Sequence, residues 1–180
     1  MYSQQEALNV LQTSQPATAE EQQALEFIQS FVNRNVRYWS RSTLEGHLTG
    51  SAWITNQSHT KAVLLHHKKL DIWVQPGGHI DDGDKSLLAA ASREAREETG
   101  IQVLMPESES IFDVDVHQIP ERKHEPAHWH LDIRFWFIAE EETLQLSEES
   151  NDLAWLSAEE IVRLTDEESV LRMVRKTLKG

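Results

Sequence analysis

One segment of this chain, Pro76 to Gly100, constrains the fold more than any other. Its sequence is PGGHIDDGDKSLLAAASREAREETG, in which a proline and two glycines precede a helical stretch, about Ser86 to Thr99, and a glycine ends it. Three glutamates, Glu94, Glu97 and Glu98, lie on this one predicted helix. Because like charges three and four residues apart repel each other on a helix, this face either is solvated or binds a cation.

A projection of the helix at about 3.6 residues per turn predicts which face is buried. Leu88, Ala91 and Ala95 form an apolar stripe that we expect to pack on a sheet. Glu98 projects into the arc between Leu87 and Ala91, so at least one carboxylate should lie at the edge of the buried face. An ionised carboxylate in such a place needs a partner, since burying it alone is costly.

The two glycines before the helix, Gly77 and Gly78, predict a turn that brings the backbone close to a ligand. Mg²⁺ prefers carboxylate and carbonyl oxygens and keeps several waters. A carbonyl of this turn, facing the helix carboxylates, would supply such a ligand set. A plain surface helix with solvated glutamates is the alternative.

The second half of the segment carries a family resemblance. REAREETGI, from Arg93 to Ile101, matches the end of the Nudix box, G-x5-E-x7-R-E-U-x-E-E-x-G-U with U aliphatic, and PGGHIDDGD is similar to its beginning. The chain therefore resembles the Nudix hydrolases, with the box at Gly78–Ile101. The ending WLSAEEI, a tryptophan followed by an acidic helix start, also resembles this family.

The box departs from the family pattern by one inserted residue. Counting from Gly78 places the box arginine at Ser92, whereas the arginine is Arg93. The insertion is most economically placed near Asp84–Ser86, between the turn and the helix, where aspartate or lysine stands in place of the family's glutamate. It leaves the spacing of the three helix glutamates unchanged.

The resemblance implies a fold, a reaction and a set of site residues. It implies a Nudix-like α/β/α sandwich with a mixed sheet that cleaves a diphosphate linked to a nucleoside, with Mg²⁺ or Mn²⁺ as the cofactor. By position in the box, Glu94, Glu97 and Glu98 would hold the metal, with the carbonyl of Gly77 as a backbone ligand. Arg93 would orient the carboxylates through an ion pair, and Glu97 and Glu98 would be central to catalysis.

Members of this family often take a base or a further ligand from a later loop. Glu149, in SEESNDLAW, is the first candidate for that catalytic role, with Glu148 beside it. A solvated loop acid is the alternative interpretation of Glu149.

Outside the box, the pattern predicts an α/β domain with helices covering a sheet. Residues 1–45 are interpreted as a helical N-terminal extension and residues 46–180 as the hydrolase domain. The extension could cap the site, mediate a homodimer or only add stability. The predicted strands are LTGSAWIT, KAVLLHH and IWVQ before the box, and SIFDVDVHQI and HWHLDIRFWFIAE after it.

Two capping boxes mark predicted helix starts. Thr18 with Glu21 opens a helix in the extension, and Ser157 with Glu160 opens a C-terminal helical region that continues to about Leu178.

A polar row on the last long strand is the second candidate site. His128, His130 and Asp132 share a face with Arg134, and His79 follows the double glycine. Histidine and aspartate on one face could bind a transition metal or contact substrate phosphates. A structural or an exposed polar face is the alternative.

A short basic island, HHKK, precedes the strand IWVQ and ends at Lys69. In an acidic protein, Lys69 could contact a substrate phosphate, with Trp73 as a stacking surface. A plain strand end that carries lysines is the other interpretation.

Composition excludes several function classes. The formal net charge is −13, which disfavours nucleic-acid polymers and acidic membranes but allows a small nucleotide-type diphosphate through a cation. The absence of cysteine excludes disulfides and thiolate sites, argues against the isopentenyl diphosphate isomerases that resemble this fold, and suggests the cytoplasm. A catalytically silent Nudix domain that acts as a nucleotide sensor or an interaction module is the remaining alternative, although all three helix glutamates are present.

Overall fold

The computed structural model describes residues 3–68, 70–121, 126–148 and 150–179. The helices in these ranges are α1 (Gln4–Leu11), α2 (Ala19–Arg34), α3 (Leu87–Thr99), α4 (Ala158–Leu164) and α5 (Glu168–Thr177). The strands are β1 (Gly46–Asn56), β2 (Lys61–His67), β3 (Ile72–Val74), β4 (Gly77–His79), β5 (Leu104–Pro106), β6 (Asp113–Ile119), β7 (His128–Ala139) and β8 (Ser150–Ser157).

The strands form one sheet with the order β3-β2-β1-β7-β5. Three further strands join this path at the side, because β4 pairs with β1, β6 with β7, and β8 with β2. The pairs β1–β2, β2–β3, β2–β8, β5–β7 and β6–β7 are antiparallel. The predicted α/β class with N-terminal helices is confirmed.

Several elements differ from the sequence prediction. Gly77 and Gly78 lie in strand β4 rather than in a turn, and β5 and β8 were not predicted. β8 forms because it pairs with β2, in register from Lys61 with Ser157 to His66 with Asp152 and with a shift before His67. Such a long-range pairing cannot be predicted from a partly polar segment alone. The C-terminal helical region is two helices, because the backbone at Thr165 is extended and ends α4.

One compact unit comprises the described residues of Met1–Gly50, Gly78–Ala91 and Ser108–Phe135. Helices α1 and α2 pack on each other, and α2 contacts β6. The ring of Phe27 on α2 meets Trp129 edge-on, with 6.0 Å between ring centroids. The N-terminal helices thus share a contact cluster with part of the sheet, and the division at residue 45 stays a prediction.

The second compact unit comprises the described residues of Ser51–Gly77, Ser92–Glu107 and Trp136–Gly180. Here β2 lies between β8 and β3, and Trp53 is fully buried. The indole N–H of Trp53 donates to Thr177 Oγ1 at 2.8 Å, which ties β1 to the end of α5. Among the described helices, none is long and apolar enough to span a bilayer.

The capping boxes are formed in one of the two predicted places. At Ser157 both reciprocal bonds with Glu160 are present. At Thr18 the side chain accepts from the backbone N–H of Glu21, but the Glu21 carboxylate accepts from Ala17 N–H at 3.0 Å instead of from Thr18. The predicted second half of that box is therefore wrong, because the buried Glu21 carboxylate reaches one residue further back.

Candidate active site

Helix α3, which carries the glutamates, begins and ends as local rules predict. Ser86 Oγ accepts from the backbone N–H of Ala89 at 3.0 Å, which satisfies a donor of the first turn. At the other end, Gly100 adopts φ +75°, and its N–H donates to the carbonyl of Arg96 at 2.9 Å. This is the left-handed helix cap for which glycine is the best residue.

The buried stripe of α3 differs from the predicted stripe at one position. Ala91 and Ala95 are buried as expected, together with Leu87 and Ala90. Leu88 is only half-buried and lines a cavity of about 450 Å³, beside Val10, Thr13 and Phe135 among others. Its predicted place in the stripe is wrong because α1 and the residues after it create this separate packing surface.

Glu98 lies at the edge of the buried face, as the helix projection predicted, and is half-buried. Its Oε2 accepts a hydrogen bond of 2.7 Å from the backbone N–H of Gly77. The carboxylate therefore has the backbone partner that its position requires. The bond comes from the amide of Gly77, whereas the predicted metal ligand is the carbonyl of the same residue.

Gly77 is needed for close approach and not for an unusual turn. It lies in β4, and among the described glycines a left-handed φ occurs at Gly100 alone. A Cβ atom at Gly77 would lie 2.2 Å from Ser51 Oγ and 2.7 Å from Ser51 Cα. The predicted double-glycine turn is wrong because this backbone pairs tightly with β1.

Arg93 links the other two glutamates of the helix. Its Nη1 lies 3.0 Å from Glu94 Oε1 and 3.0 Å from Glu97 Oε2. The Glu94 side chain is 15% exposed and that of Glu97 58% exposed, so the pair extends from the packed edge of the helix towards solvent. One guanidinium thus holds two carboxylates on the same side of the helix and offsets part of their repulsion.

A turn before α3 contains the residues around the inserted position. The N–H of Asp84 donates to the carbonyl of Asp81 at 3.0 Å, and Asp84 Oδ2 accepts from Asp81 N–H at 2.8 Å. Asp84 is buried, and its carboxylate closes this turn. The helix starts after it at Leu87, so the extra residue does not disturb the glutamate spacing.

The polar row of β7 faces a polar row of β6. Asp113 pairs with Arg134, Asp115 with Asp132, and His117 with His130. Asp113, Asp132, Arg134 and His128 are all buried, so this face is not exposed at these residues, and a structural role remains the alternative to a site.

Arg134 is the centre of a buried charge network. Its Nε donates to Asp132 Oδ2 at 2.8 Å and its Nη1 to Asp113 Oδ1 at 3.2 Å, while Nη2 lies 3.5 Å from Asp115 Oδ2. Burial alone would lower the pKa of Arg134, but attraction to the three aspartates raises it overall. Asp132, predicted to contact substrate, also accepts from Thr49 Oγ1 at 3.0 Å.

Five histidines gather beside this network. The rings of His47, His79, His117 and His128 lie 5.0, 5.3, 5.5 and 5.1 Å from the ring of His130, measured between centroids. The structure thus brings together the predicted residues His79, His128 and His130 and adds two more. His117 carried a signal, since it alternates with the aspartates of its strand, but nothing local marks His47, which comes from the start of β1.

Two predicted site residues, Lys69 and Glu149, lie outside the described residues. Among the described residues of the same segment, His66 stacks on Trp73 with 5.4 Å between ring centroids. The Nε2 atom of His66 lies 3.1 Å from Asp71 Oδ1.

Comparison with known proteins identifies the family. The NUDIX domain family matches residues 47–177. An uncharacterized Nudix hydrolase, YvcI, of Bacillus subtilis (strain 168) is 32% identical over 110 residues, or 60% of this chain, and the chain spans only 65% of that relative. A probable DHNTP pyrophosphohydrolase of Lactococcus lactis subsp. cremoris (strain MG1363) is 29% identical over 142 residues, covering 77% of this chain and 82% of that protein.

A solved structure has the same fold. The crystal structure of a NUDIX family hydrolase from Clostridium perfringens superimposes with a TM-score of 0.54 and 25% identity, over 72% of this chain and 94% of that one. The family match confirms the family that the box predicted, and the solved structure confirms the fold. The chain belongs to the Nudix hydrolase family.

Proposed function

We propose that this chain hydrolyses the diphosphate bond of a small nucleotide-type molecule in a reaction that depends on Mg²⁺ or Mn²⁺. One observation carries the proposal: three glutamates with box spacing share one helix, Glu98 anchored by the Gly77 amide and Glu94 joined to Glu97 through Arg93. The pyrophosphohydrolase name of the Lactococcus relative supports the same reaction.

The donor set suits a hard divalent cation. Carboxylate and carbonyl oxygens are the ligands that Mg²⁺ prefers, and we assign Glu94, Glu97, Glu98 and the carbonyl of Gly77 to it. A bound ion of this kind neutralises diphosphate charge and makes water a stronger nucleophile near neutral pH. The net charge of −13 favours a cation between the chain and an anionic substrate.

The residues around the carboxylates hold them ready for this task. The Gly77 amide restrains Glu98, and Arg93 restrains Glu94 and Glu97 in one orientation. Side chains that are held by hydrogen bonds lose less freedom when the ligand arrives, which favours a precise site.

The reaction also needs a proton acceptor. Hydrolysis adds water across a bridging P–O bond, so one product keeps the bridging oxygen, the other gains the water oxygen, and a proton is released. We assign Glu149 as the base, with the exposed Glu148 as its neighbour. Lys69 is assigned to a substrate phosphate because it is a cation in an acidic chain.

The proposal includes a cytoplasmic location, which the cysteine-free composition favours. It also includes a homodimer through the N-terminal helices, which light scattering coupled to size-exclusion chromatography tests directly. A monomer at all concentrations would remove the homodimer and leave the reaction untouched.

The test combines two conservative substitutions with a substrate panel. We expect Glu97→Gln and Glu98→Gln each to reduce Mg²⁺-dependent turnover by at least about 100-fold. Loss of a residue that only supports a metal ligand already lowers activity by about 10- to 100-fold, so loss of a ligand should cost at least as much. The panel contains nucleoside triphosphates, pterin triphosphate, dinucleoside polyphosphates, ADP-ribose and nucleotide sugars, with products identified by mass spectrometry.

Glu159→Gln, an exposed glutamate on α4, is the matched control and should keep full turnover. Near-normal activity in either helix variant would overturn the assignment of these glutamates. Tight binding of a panel member without turnover by the wild-type protein at saturating Mg²⁺ would instead favour a nucleotide sensor.

A further inference from the structure

The histidine cluster is a concentration of metal-binding side chains that the proposed hydrolysis does not use. His47, His79 and His130 each place one ring nitrogen so that the three nitrogens lie within 4.8 Å of one another. These side chains come from β1, β4 and β7, and all three are buried or half-buried. We propose that His47, His79 and His130 bind a divalent transition metal ion of the Zn²⁺ class, in addition to the ion held by the carboxylates.

The distances leave only a small adjustment. Zn–N bonds of about 2.0–2.1 Å in a tetrahedral site place ligand nitrogens about 3.4 Å apart. Nitrogens within 4.8 Å of one another therefore need to close by about 1.4 Å at most. Rotation about χ1 and χ2 of an imidazole moves its nitrogens without a change of backbone.

His128 and His117 resemble metal ligands in their hydrogen bonding. His128 Nδ1 donates to the carbonyl of Pro126 at 2.9 Å, which leaves Nε2 with its lone pair. His117 Nδ1 lies 3.1 Å from Asp115 Oδ2, the carboxylate–histidine arrangement common around metals. The ring of His128 stacks on the ring of His47, with 5.1 Å between centroids and 24° between planes, so His128 packs against one of the three proposed ligands.

Arg41 competes with the metal at His79. Its Nη2 lies 2.9 Å from His79 Nδ1, and because a guanidinium only donates, this nitrogen accepts and the ring proton lies on Nε2. Metal binding at His79 therefore requires Arg41 to leave. Arg41 is exposed and can turn into solvent, so its removal should not weaken metal binding.

Ligand chemistry separates this site from the carboxylates. Imidazole favours Zn²⁺, Co²⁺ and similar ions, whereas carboxylate and carbonyl oxygens favour Mg²⁺ and Mn²⁺. An excess of Mg²⁺ should therefore occupy the carboxylates and leave the imidazoles available to Co²⁺.

The test titrates Co²⁺ into the metal-depleted full-length protein in excess Mg²⁺ and follows visible absorption. We expect one equivalent of Co²⁺ to give the intense bands of a tetrahedral site, and Zn²⁺ to displace them. In the wild-type protein, Zn²⁺ should also shift the side-chain ¹⁵N signals of His47, His79 and His130. The absence of both signals would overturn the proposal, with no dependence on any variant.

Substitutions then assign the ligands. His130→Asn and His47→Asn should each lower Co²⁺ affinity by at least about 100-fold, with folding checked by near-UV circular dichroism. Two control variants, His66→Asn and Glu97→Gln, should keep the full cobalt spectrum. Arg41→Ala should bind Co²⁺ as tightly as the wild-type protein or more tightly.

Two outcomes would show that the ion binds elsewhere. One is a spectrum that survives in folded His130→Asn and His47→Asn, and the other is a spectrum that disappears in Glu97→Gln. Since binding is read without turnover, this result is independent of the proposed hydrolysis.

Discussion

At the scale of single residues, Arg134 shows that a row of polar side chains on a strand can be buried and form ion pairs. Its side chain is 2% exposed and contacts Asp113, Asp115 and Asp132. Alternation along a strand predicts that these residues share a face, but it does not predict whether water reaches that face. The buried network should therefore affect the free energy of unfolding far more than a row of exposed ion pairs would.

We predict that Arg134→Met destabilises the protein by about 3–5 kcal/mol, because it leaves buried aspartates without their cation. Urea unfolding followed by tryptophan fluorescence measures this change. The matched control is Arg163→Met, which removes an exposed pair with Glu159 at 3.5 Å and should cost about 0–1 kcal/mol. Equal costs for the two variants would contradict a buried network at Arg134.

The histidines likewise show that the sequence does not reveal which polar side chains come together in the fold. A histidine count in the sequence allows a metal site but does not select its members. The distances between ring nitrogens select them, because only the fold brings His47, His79 and His130 together from three separate strands.

At the scale of elements, the pairing of β4 with β1 decides why Gly77 is glycine. A side chain there would overlap Ser51, including its Cα at 2.7 Å, which only a backbone shift can relieve. The same residue donates its N–H to Glu98, so the pairing also sets the position of a proposed metal ligand.

We predict that Gly77→Ala costs about 1–3 kcal/mol of stability, as overpacking does, and that it also lowers Mg²⁺-dependent turnover. Thermal unfolding and the hydrolysis assay measure the two effects. Gly83→Ala is the matched control, because a Cβ there meets nothing within 4 Å, and it should leave stability nearly unchanged. If both variants behave alike, close approach at Ser51 is not the reason for glycine.

The capping box of α4 makes a pH-dependent contribution. Hydrogen bonds from Ser157 N–H and Oγ, both at 2.8 Å to Glu160 Oε2, lower the pKa of Glu160 below its ordinary value of 4.5. A carboxyl group with a lowered pKa stabilises the folded state above its unfolded pKa. This contribution is lost as the pH falls through the lower folded value.

We therefore predict that Glu160→Gln is less stable than the wild-type protein at pH 7 and that the difference shrinks as the pH falls below 4.5. Urea unfolding across this range measures it. Glu159→Gln, on the same helix turn, is the control and should show a much smaller change. A difference that is constant with pH would contradict a charged cap.

At the scale of the whole molecule, charge and chain organisation set the conditions for function. The net charge of −13 disfavours the approach of other polyanions, such as nucleic-acid polymers. The N-terminal helices lie in a contact cluster with β6, although they precede the region that the family pattern matches. Leu11, Ile28, Phe31 and Val32 are fully buried, so these helices are part of a core.

Local patterns in the sequence were sufficient for a definite part of this picture. Interactions within four residues along the chain determine several local features. These are the shared helix of Glu94, Glu97 and Glu98, the helix end at Gly100 and the capping box at Ser157. Such interactions depend only on near neighbours, and the box spacing also determined the family. The alternation of β6 and β7 likewise predicted which side chains share a face.

Long-range pairing and burial decided the rest. Strand β8 exists because it pairs with β2, Gly77 lies in a strand because it approaches Ser51, and His47 joins the histidines because β1 begins beside β7. Each contact joins residues far apart in the chain, so its energy depends on positions that only the folded backbone defines. The sequence by itself thus determined the acidic helix and its family, while the tertiary structure decided what anchors that helix and which imidazoles come together.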